Sequence, residues 1–366
     1  MMSKRPVVHI VFIICANGLG HFKRSIGLSF AIKQRFESYK LDLICTSQQL
    51  RLTKDWTKVK YLLSKPDVCF HTDSLTSISP ITKEKRQYQD GRLINWVSCS
   101  NKNDFILKAD LVISDNLVGI LNIRKDSILM GSFLWIDIFE PQHTCSLESR
   151  RILNREKELL LEYNPPMLCV DQIAMPNIKK LTQDIRFPFF AQERKKRRTF
   201  TTLNKKIAIL AGASQISDKL VLNLLSYFKR DDLQIYIPKR LFDLMEPMIS
   251  IKVKPFTFSI DDYRECDLII CRPGVGTITD CISAQTPMLL FYEANNKEMV
   301  FNSERLVEMG IAIQGGISPS IEVLLDNVRR IYDLSILQAM SKRMYDIPTN
   351  GFEKAIDWLE ENEYLK

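Results

Sequence analysis

Short continuous apolar runs alternate with amphipathic stretches along much of this chain, which predicts an α/β architecture with mainly parallel sheets. Residues 7–15 are rich in Val and Ile and read as a first strand, apolar as in a sheet covered on both faces. Asn17-Gly18-Leu19-Gly20 breaks it, and residues 21–36 read as an amphipathic helix. Residues 41–46, 111–114 and 127–130 predict further strands. From 171 to 202 the rhythm fails: Pro176, Pro188 and the run Glu193-Arg194-Lys195-Lys196-Arg197-Arg198 sit there. Such a run reads as a solvated face or linker, or else as a contact to phosphate or a membrane surface. The pattern then restarts, with strands at 206–210, 234–237, 268–271 and 288–292 and helices at 218–229, 241–248, 277–284 and 302–309. Two domains are expected, 1–200 and 201–345. A final helix within 346–366, with Phe352, Ile356 and Leu359 on one side, is expected to pack back on the first domain.

Composition narrows the class. At 366 residues, 45% hydrophobic and 26% charged, the chain has material for two cores, and wholesale disorder is excluded. Lys and Arg exceed Asp and Glu by 51 to 43, a net charge of +8 that suits a phosphate-bearing ligand or an anionic surface, or serves solubility alone. Nucleic acid is not an expected partner, because the one dense basic run has no interleaved aromatics. Nine cysteines without a CxxC pair argue against a disulfide framework or zinc site, and for a reducing cytosol. The four histidines form no HExxH or other close metal-ligand pair. No apolar stretch reaches the roughly 18 to 20 residues of a membrane span. Lys4 and Arg5 before an apolar run imitate a signal peptide, but glycines and a basic helix follow where a cleavage site is expected, which favours a buried strand.

Three segments carry candidate chemistry. In Gly18-Leu19-Gly20-His21-Phe22-Lys23-Arg24, glycines turn the backbone after a strand and a helix N-terminus offers free N–H groups. A dinucleotide fingerprint needs glycine where Lys23 stands. His21 falls at the loop-to-helix junction, as a base for a hydroxyl or as a cap or packing residue; both readings stand. In Ala211-Gly212-Ala213-Ser214-Gln215, small residues at a strand end form an anion cradle or merely a tight turn. In Arg272-Pro273-Gly274-Val275-Gly276-Thr277, a strand ends and a helix is expected at or just after Gly276. Thr277 can donate to a phosphate there, and Asp280, a turn further on, can accept from a ribose diol. Arg272 also reads as an ion-pair partner of Asp267 or Glu265.

Residues 263–313 resemble the donor-binding half of GT-B glycosyltransferases, most closely glycosyltransferase family 28. The resemblance runs through Tyr263, Cys271-Arg272, Gly274, Thr277, Pro287, the 297–299 loop with Glu298, and Asn302. Ala213-Ser214-Gln215 resembles the family's diphosphate turn, and Phe256-Thr257 the strand end whose backbone reads uracil. Gly18 to Arg24 is similar to the Gly-x-Gly-His-x-x-Arg opening of related proteins, and Ser132-Phe133-Leu134-Trp135 to an aromatic element in some of them. The family's ribose-binding Glu is Asp280 here, and Glu298 and Met299 replace a glutamine pair that holds the donor sugar.

The resemblance implies two facing Rossmann-like domains with mainly parallel sheets, the first binding the acceptor and the second a nucleotide sugar, with UDP as the donor nucleotide. It implies an inverting transferase with His21 as base, Asp115 orienting it, and donor contacts from Gly18, Gly20, Gly212, Ser214, Gln215, Phe256, Thr257, Arg272, Gly274, Gly276, Thr277, Asp280 and Glu298. Asp115 has a second reading, as the cap of the next helix. No Asp-x-Asp occurs in the chain, so neither metal nor cofactor is expected. The acceptor implied is a lipid-linked or surface-polysaccharide sugar, and the location cytoplasmic, with peripheral contact at the inner face of the membrane left open. Nucleotide-sugar hydrolases of the pseudaminic-acid pathway share the first loop, and a non-catalytic nucleotide-sugar-binding protein would share the second half.

Overall fold

A computed structural model describes residues 8–16, 18–72, 104–139, 147–191, 198–200, 202–203, 205–210, 221–222, 224–225, 233–245, 253–294, 296–317 and 320–365. These form two compact units, one of residues 1–190 with 351–366, the other of 191–350.

In the first unit seven strands lie in the order β3-β2-β1-β4-β5-β6-β7. They are β1 (His9–Ile14), β2 (Lys40–Ile44), β3 (Val68–His71), β4 (Leu111–Asp115), β5 (Ile128–Met130), β6 (Pro166–Val170) and β7 (Gln183–Phe187). Every neighbouring pair is parallel. The order reverses between β1 and β4, so the loops after those two strands open one crevice at their carboxyl ends. The second unit repeats the plan with six parallel strands, β10-β9-β8-β11-β12-β13. Here β8 is Lys206–Leu210, β9 Gln234–Pro238, β10 Val253–Phe256, β11 Leu268–Cys271, β12 Met288–Tyr292 and β13 Ala312–Ile317. Ile207, Ile209, Leu268, Ile270 and Leu289 form its core together with Leu324 and Leu337 from the covering helices.

Several expected boundaries move. The first helix is Leu19–Arg35, starting inside the glycine loop because Gly18 takes φ 85° and serves as its cap. The helix after β11 is Val275–Ala284, capped by Gly274, so Gly276 and Thr277 lie in its first turn. The expected loop at 297–299 is instead the first turn of a helix, Lys297–Glu308, since the Asn296 side chain accepts the Met299 N–H at 3.1 Å. The stretch after 171 holds both the helix Pro176–Leu181, with proline in its first turn, and β7, an edge strand whose polar residues hide it from an apolar-run reading. The last residue of the basic run is part-buried and hydrogen-bonded rather than on a solvated face. Arg198 donates to the Cys266 carbonyl at 2.7 Å and to Thr286 Oγ1 at 2.6 Å, with its guanidinium 4.1 Å from the Phe200 ring centroid. The rest of that run lies outside the described residues.

The tail helix Gly351–Glu361 packs on Leu19–Arg35. A Cβ at Gly27 would stand 2.2 Å from Phe352 Cζ, and one at Gly351 2.3 Å from the Pro188 carbonyl, so both glycines permit the close approach. Arg35 of the first helix pairs with Asp357 at 2.7 Å and with Glu360.

Near the β3 edge of the first sheet, buried Asp42 accepts from His9 Nε2 at 2.5 Å and His71 Nε2 at 2.7 Å. Burial pushes its carboxyl up, but the hydrogen bonds from His71, His9 and Lys40 together with the His71 charge outweigh burial and hold it at about 2. Because this folded value lies below the unfolded value of about 3.9, Asp42 stabilises the unit above roughly pH 4 and loses that contribution as pH falls towards 2. The melting temperature between pH 5 and pH 2 should therefore fall less steeply in D42N than in wild type. Parallel curves would remove Asp42 from the acid response.

Candidate active site

The first unit builds its site at the point where the strand order reverses. Register pairs Ile14 of β1 with Asp115 of β4, which places the Asp115 carboxylate beside the glycine loop. The loop is held by Gln49, whose Nε2 donates to the Cys15 carbonyl at 2.8 Å and the Gly18 carbonyl at 2.9 Å. Gln49 is itself fixed in a reciprocal cap with Thr46 at the start of the helix Ser47–Thr53. His21, in the first turn after the loop, donates from Nδ1 to Asp115 Oδ1 at 2.6 Å. Asp115 is fully buried, while the His21 side chain keeps 11% exposure, so the ring is reachable and its partner is not. Arg24 closes the other side, Nε to Oδ2 at 3.0 Å and Nη2 to Oδ1 at 2.7 Å, and Ser25 Oγ donates to Oδ2 at 3.2 Å. Burial pushes the Asp115 carboxyl up, but Arg24 and then His21 more than offset it and hold it below the usual carboxylate range. An ionised carboxylate only accepts, so a His21 proton sits on Nδ1, and in the neutral ring the lone pair is on Nε2. Phe133, after β5, sets its ring edge against the imidazole, centroids 6.0 Å apart.

In the second unit the turn after β11 carries Arg272, Pro273 and Gly274 into the helix Val275–Ala284. Arg272 Nη2 pairs with Glu293 Oε2 at 2.7 Å, not with Asp267 or Glu265 as expected. Asp267 instead accepts from the Tyr332 hydroxyl and Glu265 pairs with Lys206, both away from the turn. Arg272 Nε is buried without a hydrogen-bond partner, as are Asn302 Oδ1 and Ser303 Oγ. Asn302 Nδ2 donates to the Pro273 carbonyl at 2.9 Å, and Met299 Cε would lie 3.7 Å from a Cβ at Gly274. The helix carrying Glu298 is thus docked against this turn. Asp280 is hydrogen-bonded by the buried Tyr263, whose hydroxyl is pushed well up by burial and then by the Asp280 charge. Tyr263 in turn packs edge-on against Phe256, centroids 4.9 Å apart. The Thr257 N–H and hydroxyl both donate to Asp262, each at 2.6 Å.

Among the described residues no three His, Cys, Asp or Glu side chains converge to hold a metal ion. No helix among them is long and apolar enough to cross a membrane.

Residues 200–353 match the glycosyltransferase family 28 C-terminal domain. The second unit is thus similar to the C-terminal domain of family 28 glycosyltransferases. Three solved structures extend the likeness over nearly the whole chain, at identities that establish the fold. The glycotransferase of kitacinnamycin is 14% identical, with TM-score 0.65 over 98% of this chain and 99% of that one. Acinetobacter baumannii MurG is 13% identical, with TM-score 0.62 over 97% and 99%. Arabidopsis thaliana UGT89C1, solved with UDP-L-rhamnose, is 12% identical, with TM-score 0.65 over 99% and 100%. No curated protein sequence matches the chain. With two parallel-sheet Rossmann-like units and this match, the chain is a glycosyltransferase of the GT-B fold, similar in its second unit to family 28.

In this glycosyltransferase the expected site residues fall into separate groups. Gly18, Gly20, His21 and Asp115 gather in the first unit. Arg272, Gly274, Gly276, Thr277, Asp280 and Glu298 lie on two helices and one turn of the second, with Phe256 linked to Asp280 through Tyr263. Gly212, Ser214 and Gln215 lie outside the described residues. Sequence reasoning overlooked Gln49 and Glu293 and gave Arg24 and Tyr263 no role. Arg24 had a signal, its spacing of three from His21, which puts both on one face of the helix.

Proposed function

We propose that this glycosyltransferase is inverting and metal-independent, and moves a sugar from a UDP-sugar to a hydroxyl acceptor. The observation that carries the reading is the His21–Asp115 hydrogen bond of 2.6 Å, with the carboxylate buried and the ring reachable. His21 Nε2 takes the proton of the acceptor hydroxyl as that oxygen bonds to the anomeric carbon. The bond from that carbon to the diphosphate breaks with inversion, and its electron pair leaves with the nucleoside diphosphate. Thr277 and the first-turn N–H groups of Val275–Ala284 serve the leaving group, and Arg272 joins them when it releases Glu293. Asp280, oriented by Tyr263, accepts from the ribose. The lack of any Asp-x-Asp favours a leaving group stabilised without a metal, and the UDP-L-rhamnose complex of a fold relative favours UDP as the nucleotide. By analogy with family 28 the acceptor is a lipid-linked or surface-polysaccharide sugar met at the cytoplasmic face of a membrane.

The test is the melting temperature of the purified chain against a panel of nucleotides and nucleotide sugars without added metal. A ligand at 100 times its dissociation constant adds about 2.7 kcal/mol, a readily measured shift. UDP and its sugars should raise the melting temperature of wild type, and D280A should lose most of that rise. No rise with any nucleotide would sink the donor assignment, and an equal rise in D280A would remove Asp280 from the ribose.

A further inference from the structure

Asp115 holds one negative charge and faces two basic groups. Its carboxylate receives four hydrogen bonds, two from Arg24 and one each from His21 and Ser25, so all its acceptor positions are taken. Arg24 is buried with it, and its Nη2 comes within 3.5 Å of His21 Nδ1. Among the described residues the charged groups at the imidazole are therefore Asp115 from β4 and Arg24 from its own helix, with Lys23 beside it in sequence. The β5 side presents the edge of Phe133. With His21 neutral the cluster of three side chains sums to zero charge, and with His21 protonated it carries a buried net positive charge.

We infer that Arg24 is a positioning residue which neutralises Asp115 and so keeps His21 an uncharged base with its lone pair on Nε2. This rests on the reading of His21 as base. A carboxylate alone would favour the protonated ring, which cannot accept a proton from a hydroxyl. The guanidinium cancels that pull, yet its fork still holds the carboxylate in the one orientation that fixes the proton on Nδ1. The pair thus orients the ring without charging it.

The experiment is a pH titration of the imidazole signals in the full chain labelled with ¹⁵N-histidine. His21 is one of four histidines, assigned by the signals lost in His21→Asn. In R24Q the ring should take up its second proton at a pH at least about one unit higher than in wild type. R24K, which keeps the charge, should stay close to wild type. Equal titration in wild type and folded R24Q overturns the proposal, and an equal rise in R24K overturns it too, by tracing the effect to lost packing. If R24Q does not fold, the double variant R24Q/D115N decides, since it leaves neither buried charge unpaired. Its imidazole should titrate near the wild-type pH, and a midpoint lower by one unit or more would mean that Asp115 was never neutralised. No donor or acceptor is present in these titrations. A chain that shows the expected shifts and binds no nucleotide keeps the charge balance and loses the transferase reading.

Discussion

Replacing His21 by Ala lowers turnover by about 10²- to 10⁴-fold and leaves the melting-temperature rise with nucleotide unchanged. The size follows from what is removed. In the proposed mechanism the imidazole, held through Nδ1 against Asp115 at 2.6 Å, takes the hydroxyl proton on Nε2 as that oxygen attacks. Without the ring the hydroxyl must attack still protonated, or pass its proton to water. Nucleotide affinity is expected to survive because the residues proposed to bind the nucleotide in the second unit do not involve His21. Turnover and nucleotide affinity measured side by side on H21A decide it. Unchanged turnover places the base elsewhere, and a parallel loss of both makes His21 a binding residue. Asp115 is the less informative target, since its removal also strands the buried Arg24 and destabilises the unit.

Phe352→Ala destabilises the first unit by about 3 to 5 kcal/mol, through the lost burial of a ring and the cavity it leaves. Phe352 lies against Gly27 of the first helix, 5.3 Å from the Phe190 ring centroid, with Lys58 Nζ 5.1 Å above its face. Gly27 belongs to the helix that carries His21 and Arg24, so the tail braces the element bearing the site. Chemical denaturation of wild type and F352A reads the effect. A difference below about 1 kcal/mol would mean that the tail helix contributes little to the first unit. Gly27→Leu should approach the same loss from the other side, because its side chain would occupy the space now filled by the ring.

Helix starts were the weakest part of the sequence reading, for one recurring reason. The apolar periodicity begins only after the first turn, while the cap that starts the helix is a single residue: Gly18, Gly274 or Asn296. The strand β7 was overlooked because an edge strand keeps one side in contact with water and so does not read as an apolar run. Strands buried on both faces, such as β1, β4 and β11, were visible as uninterrupted apolar runs.

By itself the sequence determined the alternation of strand and helix, the glycine loops that end β1 and β11, and the candidacy of His21, all set by neighbours a few residues apart. Tertiary structure alone decided the partners. His21 and Asp115 are 94 residues apart and meet because parallel pairing of β1 with β4 sets Ile14 beside Asp115. Arg272 finds Glu293 rather than a nearer acid because β11 and β12 are neighbours whose carboxyl ends open side by side. A parallel sheet brings distant strand ends to one edge, and which charges then share a carboxylate is fixed by register, which no local pattern records.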